Sequence, residues 1–258
     1  MNSYAYTSNP GQKSGFKFED FTPDFANFNT STVRNNFVKK VLSIVAVQMA
    51  ITTFFIALFT LNEGAVKYAY TNPWLLNIAM ISTLGLTLLM AFSQVARRTA
   101  PMNLILLGSY TVCQGFLVGV ISSMYQVEEV LYAAGLTFAI VTGLAMYASN
   151  TKTDFTMKSG MMVSMIMALS MGSLISIFYH GEFFNFMLSV AGAGAFSMYI
   201  VYDIQMLMGD RKLNINPEEY IFAALNLYTD IMRIFMELLK ILRYLNEAQN
   251  DQKKRKRN

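Results

Sequence analysis

The sequence is divided into seven runs of about 20 mainly apolar residues, at 41–61, 74–96, 102–124, 130–149, 160–179, 186–208 and 219–245. As a helix, each is long enough at about 1.5 Å per residue to cross a hydrocarbon core of about 30 Å. Inside such a core the backbone can be satisfied only by helices or closed barrels. Barrel strands would be half as long and would alternate in polarity, which these runs do not. The composition agrees, since 54% of residues are apolar and 14% charged, well outside the soluble average. The expectation is an all-α integral membrane protein, a bundle of seven transmembrane helices over residues 34–245, with loops too short to hold a second, soluble domain.

Two segments lie outside the bundle. Residues 1–33 are polar, with Asn, Ser, Thr, Gly and Pro scattered among aromatics, and are expected to be a disordered cytoplasmic tail. No basic stretch followed by a short apolar one marks a cleaved signal, so the first span is expected to direct insertion. Phe16, Phe18, Phe21 and Phe25 punctuate this tail, and a loosely ordered segment is favoured over a docking motif. Residues 246–258 form a basic tail ending in KKRKRN.

Lysine and arginine placement orients the bundle. Arg34, Lys39 and Lys40 precede the first span, Arg97 and Arg98 follow the second, Lys152 and Lys158 separate the fourth and fifth, and Arg211 and Lys212 separate the sixth and seventh. All fall on one side if the spans alternate, which makes the N-terminus cytoplasmic. The opposite loops hold Lys67, Glu63, Glu128, Glu129, Glu182 and the only histidine, His180. The last segment fits less simply, because seven spans carry its basic tail to the far side. Its second half also bears Arg233, Glu237, Lys240 and Arg243 at helical spacing. It either crosses with that stripe packed against the other helices or re-enters and returns; crossing is the reading taken.

Asp203 and Asp230 interrupt the sixth and seventh runs. An ionised Asp at mid-helix costs about 2.5–3.5 kcal/mol on insertion scales, so a pair of them points to function rather than stability. Brought together in a low dielectric, two carboxylates cannot both ionise cheaply; they are expected to hold one proton between them and titrate as a unit. A cation relieves the same repulsion, and it can be a guanidinium or a hard ion such as Ca²⁺, which prefers carboxylate oxygens. The alternative is a static buried ion pair that fixes helix register. Asn226 and Arg233 share the face of the last helix that carries Asp230, and Arg233 is placed to neutralise it internally. Glu218 and Glu219 are expected to open that helix, where carboxylates favour the positive end of its dipole, and are left outside the site.

Other chemistry finds little support. One cysteine, Cys113, in mid-span and one histidine in a loop provide neither a zinc site nor a disulfide within the chain. There is no HExxH, no glycine-rich phosphate loop, and no context for a serine triad around His180. Tyr202-Asp203 matches one half of an intramembrane aspartyl protease motif, but Leu227, Tyr228 and Thr229 stand where the other half needs glycine before Asp230. The expectation is a non-enzyme without cofactor and without a nucleic-acid partner. Ala191, Gly192, Ala193, Gly194, Ala195 and Ser197 are read as a packing seam, and the 19 methionines as flexible fillers of helix contacts.

The stretches YDIQMLMGD and NPEEYIFAALNLYTDIMRIFMELLKIL, with FVKKVLSIVAVQMAITT, RRTAPMN and TKTDFT along the chain, closely resemble the transmembrane Bax inhibitor motif family, in particular its Lifeguard branch. The resemblance covers about Arg34 to Leu245. It implies a last helix that is central and wrapped by the other six, residence in endoplasmic reticulum or Golgi membranes, suppression of cell death, and a Ca²⁺ leak from the store. It also implies that Asp203 and Asp230 form a pH-sensing pair and Ca²⁺ pathway, with Arg97 or Arg98 as the latch; the alignment does not choose between the two arginines. Ca²⁺ is then a permeant ion, bound transiently by the aspartates. The rival function is a non-conducting membrane scaffold that restrains death signalling through receptors, channels or Bcl-2-type proteins.

Overall fold

The computed structural model describes residues 31–209, 213 and 215–256. Among these there is no strand. The helices are α1 (Ser31–Leu61), α2 (Glu63–Thr71), α3 (Pro73–Phe92), α4 (Gln94–Arg98), α5 (Met102–Ser122), α6 (Val127–Asn150), α7 (Ser159–Phe178), α8 (Glu182–Met208) and α9 (Tyr220–Arg255), with 3-10 turns at Phe155–Lys158 and Pro217–Glu219 leading into α7 and α9. Six helices, α1, α3, α5, α6, α7 and α8, are long and apolar enough to cross a membrane. Their outward side chains, among them Phe54, Ile81, Phe92, Phe138 and Phe178, are large and apolar, as a lipid-facing surface requires.

α9 has a different character. It is more polar than the six, yet it buries Ile221, Ala224, Tyr228, Ile231, Phe235 and Leu239, and it packs against α1, α5, α6 and α8. Its 36 residues rise about 54 Å. At one end Glu219, just before the helix, meets Arg97 and Arg98 of α4. Near the other, Asn246 donates to Glu129 Oε1 at 2.8 Å and Gln126 Oε1 at 3.2 Å, where α6 begins. Since α5 runs between α4 and α6, these contacts lie at opposite ends of it, and α9 reaches from one end of the bundle to the other. The helix is continuous, so a reversal within residues 219–245 is not what this segment adopts.

Several boundaries differ from the sequence expectation. The second run breaks at Ser93, whose extended backbone ends α3 while its Oγ accepts the Ala96 N–H at 3.2 Å and starts α4; a serine hydroxyl competes for backbone groups and favours such a cap. The loop after α1 contains α2, capped by Asn62 Oδ1 on the Ala65 N–H. α1 begins at Ser31, inside the expected tail, and residues 1–30, with the four phenylalanines, lie outside the described residues. The basic tail continues α9 as far as Arg255, residues 257 and 258 lying outside the described set, as do Arg211 and Lys212. The methionine reading also needs correction. On α7 only Met162 is buried, whereas Met161, Met167 and Met171 face outward, because α7 packs chiefly on α8 and offers one narrow seam.

The expected small-residue seam on α8 is only partly a seam. Gly192 lies against the Glu237 side chain and Ala195 is buried, but Gly194 faces open space. A close backbone approach lies elsewhere, where Gly115 and Gly119 of α5 meet Thr52 and Phe55 of α1. A Cβ on Gly119 would lie 2.7 Å from the Phe55 carbonyl oxygen. A glycine repeated after four positions clears a stripe for a neighbouring backbone.

Candidate functional site

α8 ends at Met208, and α9 turns back along it after Gly209, whose φ of 76° closes α8 in the left-handed conformation that glycine adopts without strain. Arg34 fastens this turn, its guanidinium donating to the carbonyls of Met206 at 2.5 Å and Ile215 at 2.8 Å. Gln205, buried two positions after Asp203, donates to the Thr153 carbonyl at 2.9 Å and accepts the Phe155 N–H at 2.8 Å. The Gln of YDIQ therefore holds the loop TKTDFT, and Tyr199 donates its hydroxyl to the Met162 carbonyl of α7. Elsewhere along α9, Tyr228 bonds Thr52 at 2.7 Å and Tyr110 bonds Thr229 at 2.9 Å, tying the helix to α1 and α5.

With both neighbours so fixed, Asp203 and Asp230 line one cleft of about 1480 Å³ between α7, α8 and α9. Asp203 is 5% exposed, and its Oδ2 has no hydrogen-bond partner among the described residues. Asp230 is half-buried and close enough to interact with it electrostatically. The α9 wall carries Asn226, Asp230, Arg233, Glu237, Lys240, Tyr244 and Glu247, spaced three or four apart on one face. The α7 wall is mixed, with Ile166, Leu169 and Leu174 among Ser170 and Ser173. At the end where α9 meets α6 the charges are internally matched, Lys240 to Glu237 at 3.1 Å and Arg243 to Glu247 at 2.8 Å. Nearby, in the loop between α5 and α6, burial pushes the Tyr125 phenol above its ordinary pKa, while Arg243 stacked on its ring opposes that shift.

The arginines named as latch are engaged elsewhere. Glu219 receives both. Arg97 Nε lies 2.5 Å from its Oε2, an ion contact without hydrogen-bond alignment, while Arg98 presents Nε at 2.6 Å and Nη2 at 2.5 Å to Oε1. The carboxylate side chain is only 9% exposed, against 15% for Arg97 and 38% for Arg98, so this is a sheltered cluster rather than a surface pair. The two arginines are not equivalent. Arg97 also donates to the Ala91 carbonyl at 2.9 Å and lies over the Phe222 ring, and both residues line the cleft; no such contact places Arg98 there. Phe222 precedes Asp230 by eight positions, about 12 Å of helix rise, so Arg97 stands at the mouth rather than at the pair.

Against this geometry, the family profile described as Inhibitor of apoptosis-promoting Bax1 matches residues 34–247. The chain belongs to the Bax inhibitor family, in its Lifeguard branch. Protein lifeguard 3 of Homo sapiens is 35% identical over 214 residues, covering 81% of this chain and 69% of its own length. Protein lifeguard 3 of Mus musculus is 32% identical over 244 residues, with 93% and 78% covered, and protein lifeguard 4 of Mus musculus is 32% identical over 215, with 83% and 87% covered. The match begins at Arg34, which holds the α8–α9 turn, and ends at Glu247, the last charge lining the cleft. In this Bax inhibitor chain the residue missed from sequence is Glu219. Its position beside Arg97 and Arg98 is readable in the sequence only as charges of opposite sign expected on the same side of the bundle.

Proposed function

We propose that the chain is a seven-span bundle with α9 as its central helix and that it forms a passive, pH-regulated Ca²⁺ leak pathway through an endoplasmic reticulum or Golgi membrane, restraining cell death by setting store Ca²⁺. It performs no covalent chemistry. The observation that carries this reading is the cleft: a buried aspartate oxygen with no hydrogen-bond partner among the described residues lines it together with a continuous polar stripe. Asn226 and Glu247 are 21 positions apart, a rise of about 31 Å, which matches the thickness of a hydrocarbon core. Carboxylates in such a path attract a hard divalent ion, and protonation of the pair removes that attraction. Regulation of death signalling follows from kinship with the Bax inhibitor family. The basic clusters favour a cytosolic N-terminus, and the bilayer and Ca²⁺ are the partners this reading needs.

The test is Ca²⁺ flux into liposomes holding only the purified protein, measured as a function of pH. Flux is expected to vary with pH in the wild type, and Asp203→Asn and Asp230→Asn should each flatten the response. The double change should do little more than either alone, because the pair acts as a unit. His180→Gln should leave the response intact. Absence of flux from well-folded protein would refute the pathway and favour a non-conducting scaffold for Bcl-2-type partners. A pH response that survives the double change, or that His180→Gln removes, would place the sensor elsewhere.

A further inference from the structure

Arg233 is the unassigned charge in the middle of the cleft. It is exposed into that space, one turn beyond Asp230 on the same face of α9. Among the described residues its guanidinium has no hydrogen bond and no ion pair within 4 Å; it lies over the Phe196 ring of α8, 5.1 Å from the centroid. The groups around it are anionic or neutral. Asp230 and Glu237 flank it on α9, with Asp203, Tyr199 and Tyr202 on α8, Thr87 on α3, and Tyr110 of α5 within electrostatic range. An external anion would be repelled by the same carboxylates that attract the guanidinium. A cation on a long flexible stem, held by a ring face and within a side-chain length of a carboxylate three residues away, has two places to rest.

We propose that Arg233 is a tethered counter-cation that competes with Ca²⁺ for the Asp203–Asp230 pair, exchanging between the Phe196 ring and the carboxylates. The inference rests on the Ca²⁺ reading of the pair given above. It assigns to Arg233 the control of ion affinity, since an entering divalent ion must displace a charge that never leaves. It also gives Phe196 a task as the resting place, which sets how readily the guanidinium gives way.

Ca²⁺ binding to the purified full-length protein in nanodiscs, read by calorimetry, tests this alongside liposome flux. Arg233→Gln should raise apparent Ca²⁺ affinity about tenfold or more, the scale on which a charge at 4–6 Å changes carboxylate occupancy. Arg233→Lys, which keeps the charge, should stay nearer to wild type. Phe196→Leu removes the parking face and should weaken Ca²⁺ binding about two- to fivefold. Thermal melts establish folding, and the Lys and Leu variants keep the test open if Arg233→Gln does not fold. If Asp230→Asn abolishes binding while all three changes leave it at the wild-type value, the tethered-cation idea is overturned and the aspartate pathway stands. If no variant and no wild-type protein binds Ca²⁺, both fall.

Discussion

Glu219→Gln removes one charge and leaves the shape, and its effect can be worked from the clamp. Glu219 faces two guanidiniums with its two oxygens, at 2.5 Å to Arg97 and 2.5–2.6 Å to Arg98. Breaking a fully buried pair costs about 3–5 kcal/mol, whereas exposed pairs are worth about 0.2–1 kcal/mol. The carboxylate is sheltered but Arg98 is 38% exposed, and Arg97 keeps its carbonyl partners and its place over Phe222. A glutamine also retains one acceptor oxygen. The expected loss is about 2 kcal/mol, equivalent to a fall of about 4–8 °C in Tm for a domain of this size.

Glu218→Gln is the internal control, because its carboxylate lies 3.6 Å from Arg98 and is 66% exposed; the expected effect is below about 0.5 kcal/mol. Both changes remove a carboxylate from the 3-10 turn that leads into α9, so any helix-dipole contribution affects them similarly and the difference reports the clamp. Because Arg97 stands at the mouth of the cleft, release of α4 from α9 should also raise Ca²⁺ leak in liposomes at constant pH. Thermal melts in detergent and flux in liposomes read the two consequences separately. Equal Tm values for the two variants, with unchanged leak, would refute the reasoning.

Gly119→Ala should destabilise by about 1–3 kcal/mol, because its Cβ would meet backbone of Phe55 that no rotamer change can move, whereas Gly85→Ala, with nothing within 4 Å, should leave Tm unchanged. A Tm loss in Gly85→Ala equal to that in Gly119→Ala would show that the α1–α5 approach is not the cause. A cysteine placed at Gln252 in a Cys113→Ser background should react only with reagent on the lumenal or outer face if α9 crosses. Labelling from the cytosol in intact cells would sink the seven-span reading.

The six apolar spans were legible because a lipid-facing helix must be apolar around most of its circumference, which leaves a run that composition alone reveals. The aspartates were legible for the opposite reason, standing out against that background. What the runs conceal is anything decided by a single side chain against a particular neighbour. Ser93 ends a helix inside an unbroken apolar stretch because its hydroxyl finds a backbone N–H, and hydropathy does not register such a cap. Gly115 and Gly119 stand four apart in GFLVG, a readable pattern, yet the denser small-residue run at 191–195 drew the inference of close packing to α8. Glu219 was assigned to the helix dipole, which is a true local role and hides the longer-range one.

α9 carries the argument furthest, because its sequence reads poorly as a span for the reason that makes it useful. A helix exposed to lipid on several sides could not hold Asp230, Arg233, Glu237 and Lys240 along one face without a large insertion cost. α9 places Ile221, Ala224, Tyr228, Ile231, Phe235 and Leu239 against its neighbours, and the polar stripe from Asn226 to Glu247 lines the cleft. Packing against α1, α5, α6 and α8 therefore confines these charges to the face that lines the cleft. It also explains why the polar positions recur every three or four residues: that spacing keeps them on the one face that packing leaves free. A charge moved by one position, from Asp230 to Ile231, would turn about 100° into the packed side, where neither an ion nor water could relieve it.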